Sequence, residues 1–271
     1  RGRHGVDLCD YDALAAAGAI AFSDDGDTVK DGVVMRAAAL RARQLQLPMI
    51  AHCVPEAEIV ARDLAIARET KKRWHVAHLS TAHALELLRE ARSRETPVTC
   101  EVTPHHLSFT SALLESQGAA AKVHPPLRSE SDVRALRAGV RDGTIDAFAS
   151  DHAPHTAAEK TGDIRDAAPG FSGLEVAVGA YAAALPDLPL RRFVELISTN
   201  PAKIVNLSAG TLRIGAAADV TIFADRQWRV DPAAFASKGH CTPFAGAVLP
   251  RKVIATIVGG IVRYRAAGCA T

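Results

Sequence analysis

Cysteine is scarce and scattered in this chain: Cys9, Cys53, Cys100, Cys241 and Cys269 stand far apart, with no CxxC pair among them. An odd count at such spacing excludes a disulfide framework and fits reduced, buried thiols. Long apolar runs are lacking too. No stretch reaches the roughly 18 residues that a bilayer-spanning helix requires, and residues 1–10 are too polar for a secretory signal. The expected compartment is therefore the cytoplasm. Charge of one sign is also missing, because 32 basic and 30 acidic residues interleave to a formal net charge of +2. That balance leaves no basic face for nucleic acid or anionic lipid. There is no internal repeat, and no low-complexity tract beyond alanine-rich helical stretches such as residues 15–17.

What is present is apolar sequence in short, ordered pieces. Of the 271 residues, 48% are hydrophobic and 23% charged, enough for one large core, or one core and a small satellite, and too apolar for a disordered chain. Between Leu14 and Leu207, apolar runs at 19–22, 48–51, 74–77, 98–102 and 145–150 alternate with stretches of helical period at 31–45, 56–71, 82–92 and 129–141. Val60, Leu64 and Ala67 illustrate the helical spacing, and Asp31 and Ser129 stand where N-caps belong. Strands alternating with helices predict an α/β fold with a parallel sheet. After Leu207 the pattern turns β-rich, at 218–223, 252–258 and 261–264, the last two joined by Gly259 and Gly260 as a tight hairpin. The chain thus divides into residues 1–208 and a small β-rich unit at 209–271.

A residue able to bind a metal follows each predicted strand: Asp24 and Asp25, then His52, His78, His105 and His106, and Asp151. In a parallel barrel the C-terminal strand ends converge on one face, so side chains far apart in sequence meet there. Neutral imidazole and carboxylate suit zinc, which activates water near neutral pH. Each residue also has a plainer role open to it. A histidine at a strand end can be a hydrogen-bonded rim residue, Asp24-Asp25-Gly26 can be a turn, and Asp151-His152 can cap a helix.

The ordered motifs Ala21-Phe-Ser-Asp-Asp-Gly26, Ala77-His-Leu-Ser-Thr81, Glu101-Val-Thr-Pro-His-His-Leu107, His124-Pro-Pro-Leu-Arg128, Asp142-Gly-Thr-Ile-Asp146 and Ser150-Asp-His-Ala-Pro-His155 together resemble the bacterial (type I) dihydroorotases of the amidohydrolase superfamily. The likeness continues through Glu159-Lys160, Gly173-Leu-Glu175, Asn200-Pro-Ala-Lys203, Ala218-Asp219, Ser237-Lys238 and Thr242-Pro-Phe244. It implies a TIM-type (β/α)8 barrel with a small C-terminal β domain, two zinc ions per active site, and interconversion of dihydroorotate and N-carbamoyl-L-aspartate in de novo pyrimidine biosynthesis. It makes Asp25 the carboxylate bridging the metals, chosen over Asp24 by its spacing of 27 from His52. It makes His52 and His78 ligands of the second metal, and Asp151 both a ligand and the proton shuttle. His124, His155 and the backbone of Ala168, Pro169 and Gly170 become the substrate contacts. Residues 107–122 are the expected lid, and a homodimer or association with aspartate carbamoyltransferase is the implied assembly.

Three departures qualify the likeness. The family's His-x-His strand and the arginine after it have no counterpart, and five strands cannot close an eight-stranded barrel, which needs about 250 residues. The chain is therefore expected to lack its N-terminal strands, and a loop near residues 53–56. The third departure is His124, which stands where the family places Asn. Two other functions remain open: a different ring amidohydrolase such as a dihydropyrimidinase or allantoinase, against which Asp25 argues because those relatives use a carboxylated lysine, and a noncatalytic scaffold for the transcarbamoylase.

Overall fold

The computed structural model describes Gly2 and residues 4–267. Five strands, β1 (Phe22–Ser23), β2 (Met49–Ala51), β3 (Trp74–Val76), β4 (Val98–Val102) and β5 (Ala147–Phe148), form one parallel sheet in sequential order. The register brings Met49 beside Trp74, and Trp74 beside Val98. All five expected strands are found, but the outer two are short. Pairing at β1 begins only at Phe22, and β5 keeps two paired residues.

The sheet is two-faced because its side chains alternate. In β4, Val98, Cys100 and Val102 are buried among the apolar core, while Thr99 and Glu101 point to the other side. In β3, Trp74 and Val76 join the same core. His75, between them, pairs through its Nδ1 with Thr99 Oγ1 at 2.8 Å and through its Nε2 with Glu101 at 3.1 Å. One face is thus apolar and covered by helices, and the other carries a buried polar layer.

The helices in chain order are α1 (Tyr11–Ala16), α2 (Gly32–Gln44), α3 (Glu56–Thr70), α4 (Ala82–Ser93), α5 (Pro104–Ser108), α6 (Leu113–Gln117), α7 (Glu130–Arg141), α8 (Ala177–Ala184), α9 (Leu190–Val194) and α10 (Asn200–Ile204). The expected caps hold. Asp31 accepts from the Val33 amide at 2.7 Å, and Ser129 forms a reciprocal capping box with Asp132 at the start of α7. Tyr181 of α8 fastens the sheet from below: its hydroxyl lies 2.6 Å from the Val102 carbonyl and 2.7 Å from that of Ala149, bridging the ends of β4 and β5.

Beyond the barrel-type sheet, β6 (Val220–Ala224), β9 (Lys252–Val258) and β10 (Ile261–Arg265) form an antiparallel sheet, and β7 (Trp228–Arg229) pairs with β8 (Val248–Leu249). Gly259 and Gly260 turn the β9–β10 hairpin with φ of 57° and 80°, the backbone of a type I′ turn. Val230, Phe244 and Leu249 pack with Val123, Leu127, Phe171 and Val176 in a second core cluster, so the C-terminal stretch also covers the loops that follow the parallel strands. Of the cysteines, Cys9, Cys53, Cys100 and Cys241 are free thiols. Cys53 and Cys100 are buried as expected, but Cys9 is exposed, because it precedes α1 outside the packed sheet. Cys269 lies outside the described residues. Among the described residues no helix is long and apolar enough to cross a membrane.

Candidate active site

The C-terminal ends of the strands carry the predicted chemistry. His52 follows β2 and His78 follows β3, with ring centroids 4.7 Å apart and edge to face. Asp24, one residue after β1, binds His52 twice: its Oδ1 accepts from the backbone N–H at 3.0 Å and from Nδ1 at 2.6 Å. An ionised carboxylate only accepts, so this contact puts the His52 proton on Nδ1 and leaves Nε2 as a lone pair. Burial lowers the His52 imidazole, but the hydrogen bond and charge of Asp24 offset this and raise it overall. His78 is pushed the other way, down to about 3, by burial and then by His52. It is a neutral imidazole, the form that binds metal.

The backbone at this rim is unusual. Asp25, His78 and Asp151 all have positive φ, at 50°, 31° and 47°, a region that costs a non-glycine residue on the order of 1–2 kcal/mol. Such strain is retained where the surrounding fold over-determines it, commonly at functional sites. Here it falls on residues that follow β1, β3 and β5.

Past β4, Thr103 caps α5 and holds His106 through Nδ1 at 2.7 Å, while Nε2 of His106 donates to the Pro125 carbonyl at 3.1 Å. His106 is therefore a structural tie to the His124-Pro-Pro-Leu-Arg128 segment. His105, its neighbour, is fully buried, with neither ring nitrogen hydrogen-bonded. Its Nε2 lies 3.5 Å from Asp151 Oδ2. Burial, and then Glu101, raise Asp151 to about 7, against a lowering by His52.

The substrate-side loops form a separate cluster. His155 Nε2 donates to the Pro169 carbonyl at 3.1 Å, and the Gly170 amide donates to the Lys122 carbonyl at 3.0 Å. Gly170 has φ of 127°, and a Cβ there would sit 2.6 Å from that of Ala153, so only glycine fits this close approach. Beside Asp151, His152 Nδ1 accepts from the Gly173 and Leu174 amides at 3.2 Å each, and Ser237 joins His152 to Glu175. His124 and His155 open into different clefts, the first of about 670 Å³ lined also by Asp27, Thr28 and Val54, the second of about 530 Å³ lined also by Lys160 and Lys238.

The structure thus brings His52 to His78, and His155 to Pro169, but it does not gather all the predicted ligands. Asp25 is exposed, with its amide held by Ser23 Oγ. Among the described residues no three His, Cys, Asp or Glu side chains come close enough together to hold a metal ion. The donors nonetheless fit one in kind, imidazole and carboxylate: of the proposed ligands His78 keeps Nδ1 buried without a hydrogen-bond partner, and beside it Asp24 Oδ2 and both nitrogens of His105 are likewise unpaired. Residues 107–122, the expected lid, fold into α6 and a 3-10 turn (Gly118–Ala121), anchored at one end by the Ser111 amide on the Arg128 carbonyl.

Sequence reading missed Asp24 as a partner of His52, the His75–Glu101 pair beneath the site, and Glu56. The last is buried at the start of α3. Its Oε1 accepts from the Thr81 amide at 2.8 Å and Oγ1 at 2.6 Å, and its Oε2 from the Ser80 amide at 3.1 Å, fixing the segment that follows His78. The alternation of Thr99 and Glu101 within apolar β4 was the available signal for the polar layer.

Comparison with known proteins shows the family. Residues 7–262 match the model of the amidohydrolase family. The chain is 42% identical over 292 residues to a dihydroorotase of Anaeromyxobacter sp. (strain K), covering 96% of this chain and 67% of that protein. It is 39% identical to a dihydroorotase of Syntrophus aciditrophicus (strain SB), covering 98% and 69%. An alignment of 292 positions exceeds the 271 residues of this chain, so the relative has internal residues without a counterpart here. Among solved structures, an L-hydantoinase (dihydropyrimidinase) from Arthrobacter aurescens superposes with a TM-score of 0.85 at 24% identity, covering 96% of this chain and 68% of that one. A D-hydantoinase (dihydropyrimidinase) from Thermus sp. gives 0.82 at 22%, covering 87% and 60%. These share the TIM-barrel fold of the amidohydrolases.

Proposed function

We propose that this chain, which belongs to the amidohydrolase family and within it to the dihydroorotases, interconverts dihydroorotate and N-carbamoyl-L-aspartate, with zinc as cofactor. The observation that carries the reading is the pair of adjacent imidazoles at the ends of β2 and β3, one oriented by Asp24 and the other buried and neutral.

Asp25, His52, His78 and Asp151 would hold the metal. Zinc bound there would polarise the ring carbonyl and lower the pKa of water, supplying a nucleophile near neutral pH. Hydrolysis adds water to the ring carbonyl carbon and breaks its bond to the ring nitrogen. Asp151 takes the proton of the attacking water and returns it to the departing nitrogen. A carboxylate at this position can serve as base and then as acid in turn. His124, His155 and the backbone of Ala168, Pro169 and Gly170 orient the substrate. The proposed assembly is a homodimer or a complex with aspartate carbamoyltransferase, and the proposed compartment is the cytoplasm.

A second reading, a dihydroorotase-like scaffold without chemistry, is favoured by one observation: no three ligand side chains gather among the described residues. Turnover of dihydroorotate by the full-length protein, with zinc and again after chelation, separates the two. Hydrolysis that needs metal is expected. Absence of turnover, with zinc also failing to bind, would put the scaffold first.

A further inference from the structure

We propose that Lys160 is a positioning residue for substrate recognition, whose buried ammonium clamps together the three chain segments bearing the proposed substrate contacts. The inference rests on the dihydroorotase reading for its kinetic consequence, but not for its geometry.

Lys160 ends a one-turn helix (Ala158–Lys160) just after His155, and only 4% of it is exposed. Its Nζ donates to the carbonyls of Lys122 and Ala168, both at 2.9 Å. The Lys122 carbonyl also accepts from the Gly170 amide at 3.0 Å, and the Glu159 carbonyl accepts from the Ala168 amide at 2.9 Å. The Pro169 carbonyl is taken by His155. One cation therefore joins the segment leading into His124, the segment carrying His155, and the loop of Ala168, Pro169 and Gly170. These are all of the residues proposed to contact substrate, apart from the metal ligands.

Burying an ammonium is unfavourable unless its donors are taken, and burial holds Lys160 below the ordinary lysine range. Its two hydrogen bonds go to carbonyls rather than to a carboxylate, so no ion pair offsets that cost. An apolar side chain would fill the space more cheaply. What the ammonium adds is a set distance between two backbone carbonyls that no strand or helix pairs. The loops it joins follow β4 and β5 at different strand ends, and apart from this ammonium they are tied by the Gly170 amide on the Lys122 carbonyl and by Lys122 Nζ on the Arg165 carbonyl.

The test uses the zinc-loaded full-length protein and two variants, Lys160→Met and Lys160→Arg. For Lys160→Met, KM for dihydroorotate is expected to rise about tenfold or more with kcat changed less than about threefold, at unchanged zinc content. Lys160→Arg, which keeps charge and donors, is expected to recover most of the loss and serves as the folded control. Independently of activity, the Ala168 and Gly170 amides are expected to exchange hydrogen faster in Lys160→Met, while those of α7 do not. A KM unchanged in Lys160→Met, or a kcat falling in step with lost zinc, would overturn the proposal. If the parent protein turns over no dihydroorotate, the functional reading fails and exchange alone decides the clamp: unaltered exchange at Ala168 and Gly170 sinks it.

Discussion

The two ends of the proposed active site are built on opposite terms. At the metal end, Asp24, His78 and His105 account for four of the six buried side-chain atoms that lack a hydrogen-bond partner among the described residues. At the substrate end, the carbonyls of Lys122, Ala168 and Pro169 are each taken by a donor. Native proteins rarely leave buried polar atoms unpaired, and each unpaired atom costs on the order of 1–3 kcal/mol. The loop carbonyls of the substrate end are therefore satisfied within the chain, although Glu175 Oε2 nearby is not, whereas the metal end leaves His78 and its neighbours Asp24 and His105 with unpaired atoms. One region is preorganised by the chain, and the other stores unmet capacity for a ligand.

The sharpest way to break this contrast is at Asp151, the one residue assigned to both chemistry and metal. Asp151→Asn keeps the size of the side chain and removes the charge that takes and returns the proton. Turnover is expected to fall by about 10²–10⁴, with near-normal binding of N-carbamoyl-L-aspartate by the intact substrate end. A variant of unimpaired activity, measured by the change in dihydroorotate absorbance, would refute the assignment.

The next effect separates the two neighbouring histidines, one unpartnered and one tied at both nitrogens. His106 is depressed to about 4 by burial, from 6.5. Because the folded value lies below the unfolded one, the unfolded chain binds the proton first as pH falls. Its contribution to stability is whole above about 6.5 and drains away toward 4, which amounts to about 3 kcal/mol. Urea unfolding in the presence of chelator should show parent stability falling between pH 7 and pH 4.5. In His106→Gln that fall should be smaller, from a lower starting value, since the Pro125 tie is weakened. Equal pH dependence in both proteins would show that His106 is not a source of the acid sensitivity.

How much of this was legible in the sequence depended on how local the cause was. The capping box of Ser129 and Asp132 was readable because both partners lie within one turn, and the β9–β10 hairpin because two glycines can adopt positive φ. The strand-end positions of His52 and His78 were readable because short apolar runs followed by a polar residue mark where a parallel strand ends. The role of Lys160 was not readable, since its partners are the carbonyls of Lys122 and Ala168 on other segments. The His75–Glu101 pair requires the register of two strands, and Glu56 the approach of α3 to the loop after β3. The short helices α8, α9 and α10 escaped for another reason: α8 is buried almost all round, so it shows no polar face, and none of the three has a side-chain cap.

The smallest expected effect sharpens the contrast most, because it concerns two adjacent aspartates whose sequence context is nearly identical. Asp24 and Asp25 follow β1 together, and only backbone conformation divides their roles. Asp24 is turned inward to hold His52 at Nδ1, and Asp25, in left-handed backbone, is turned out. In the proposed site Asp24 never touches metal. It fixes the tautomer that frees Nε2, and removing such an orienting partner costs about 10–100-fold in metal affinity. Asp24→Ala is therefore expected to weaken zinc binding by that factor, measured by competition with a chelator, while KM at saturating zinc stays near the parent value. Lys160→Met should do the reverse, raising KM and sparing zinc affinity. If Asp24→Ala instead raised KM and left zinc affinity intact, the metal and substrate ends would not be separable, and Asp24 would belong with the loops.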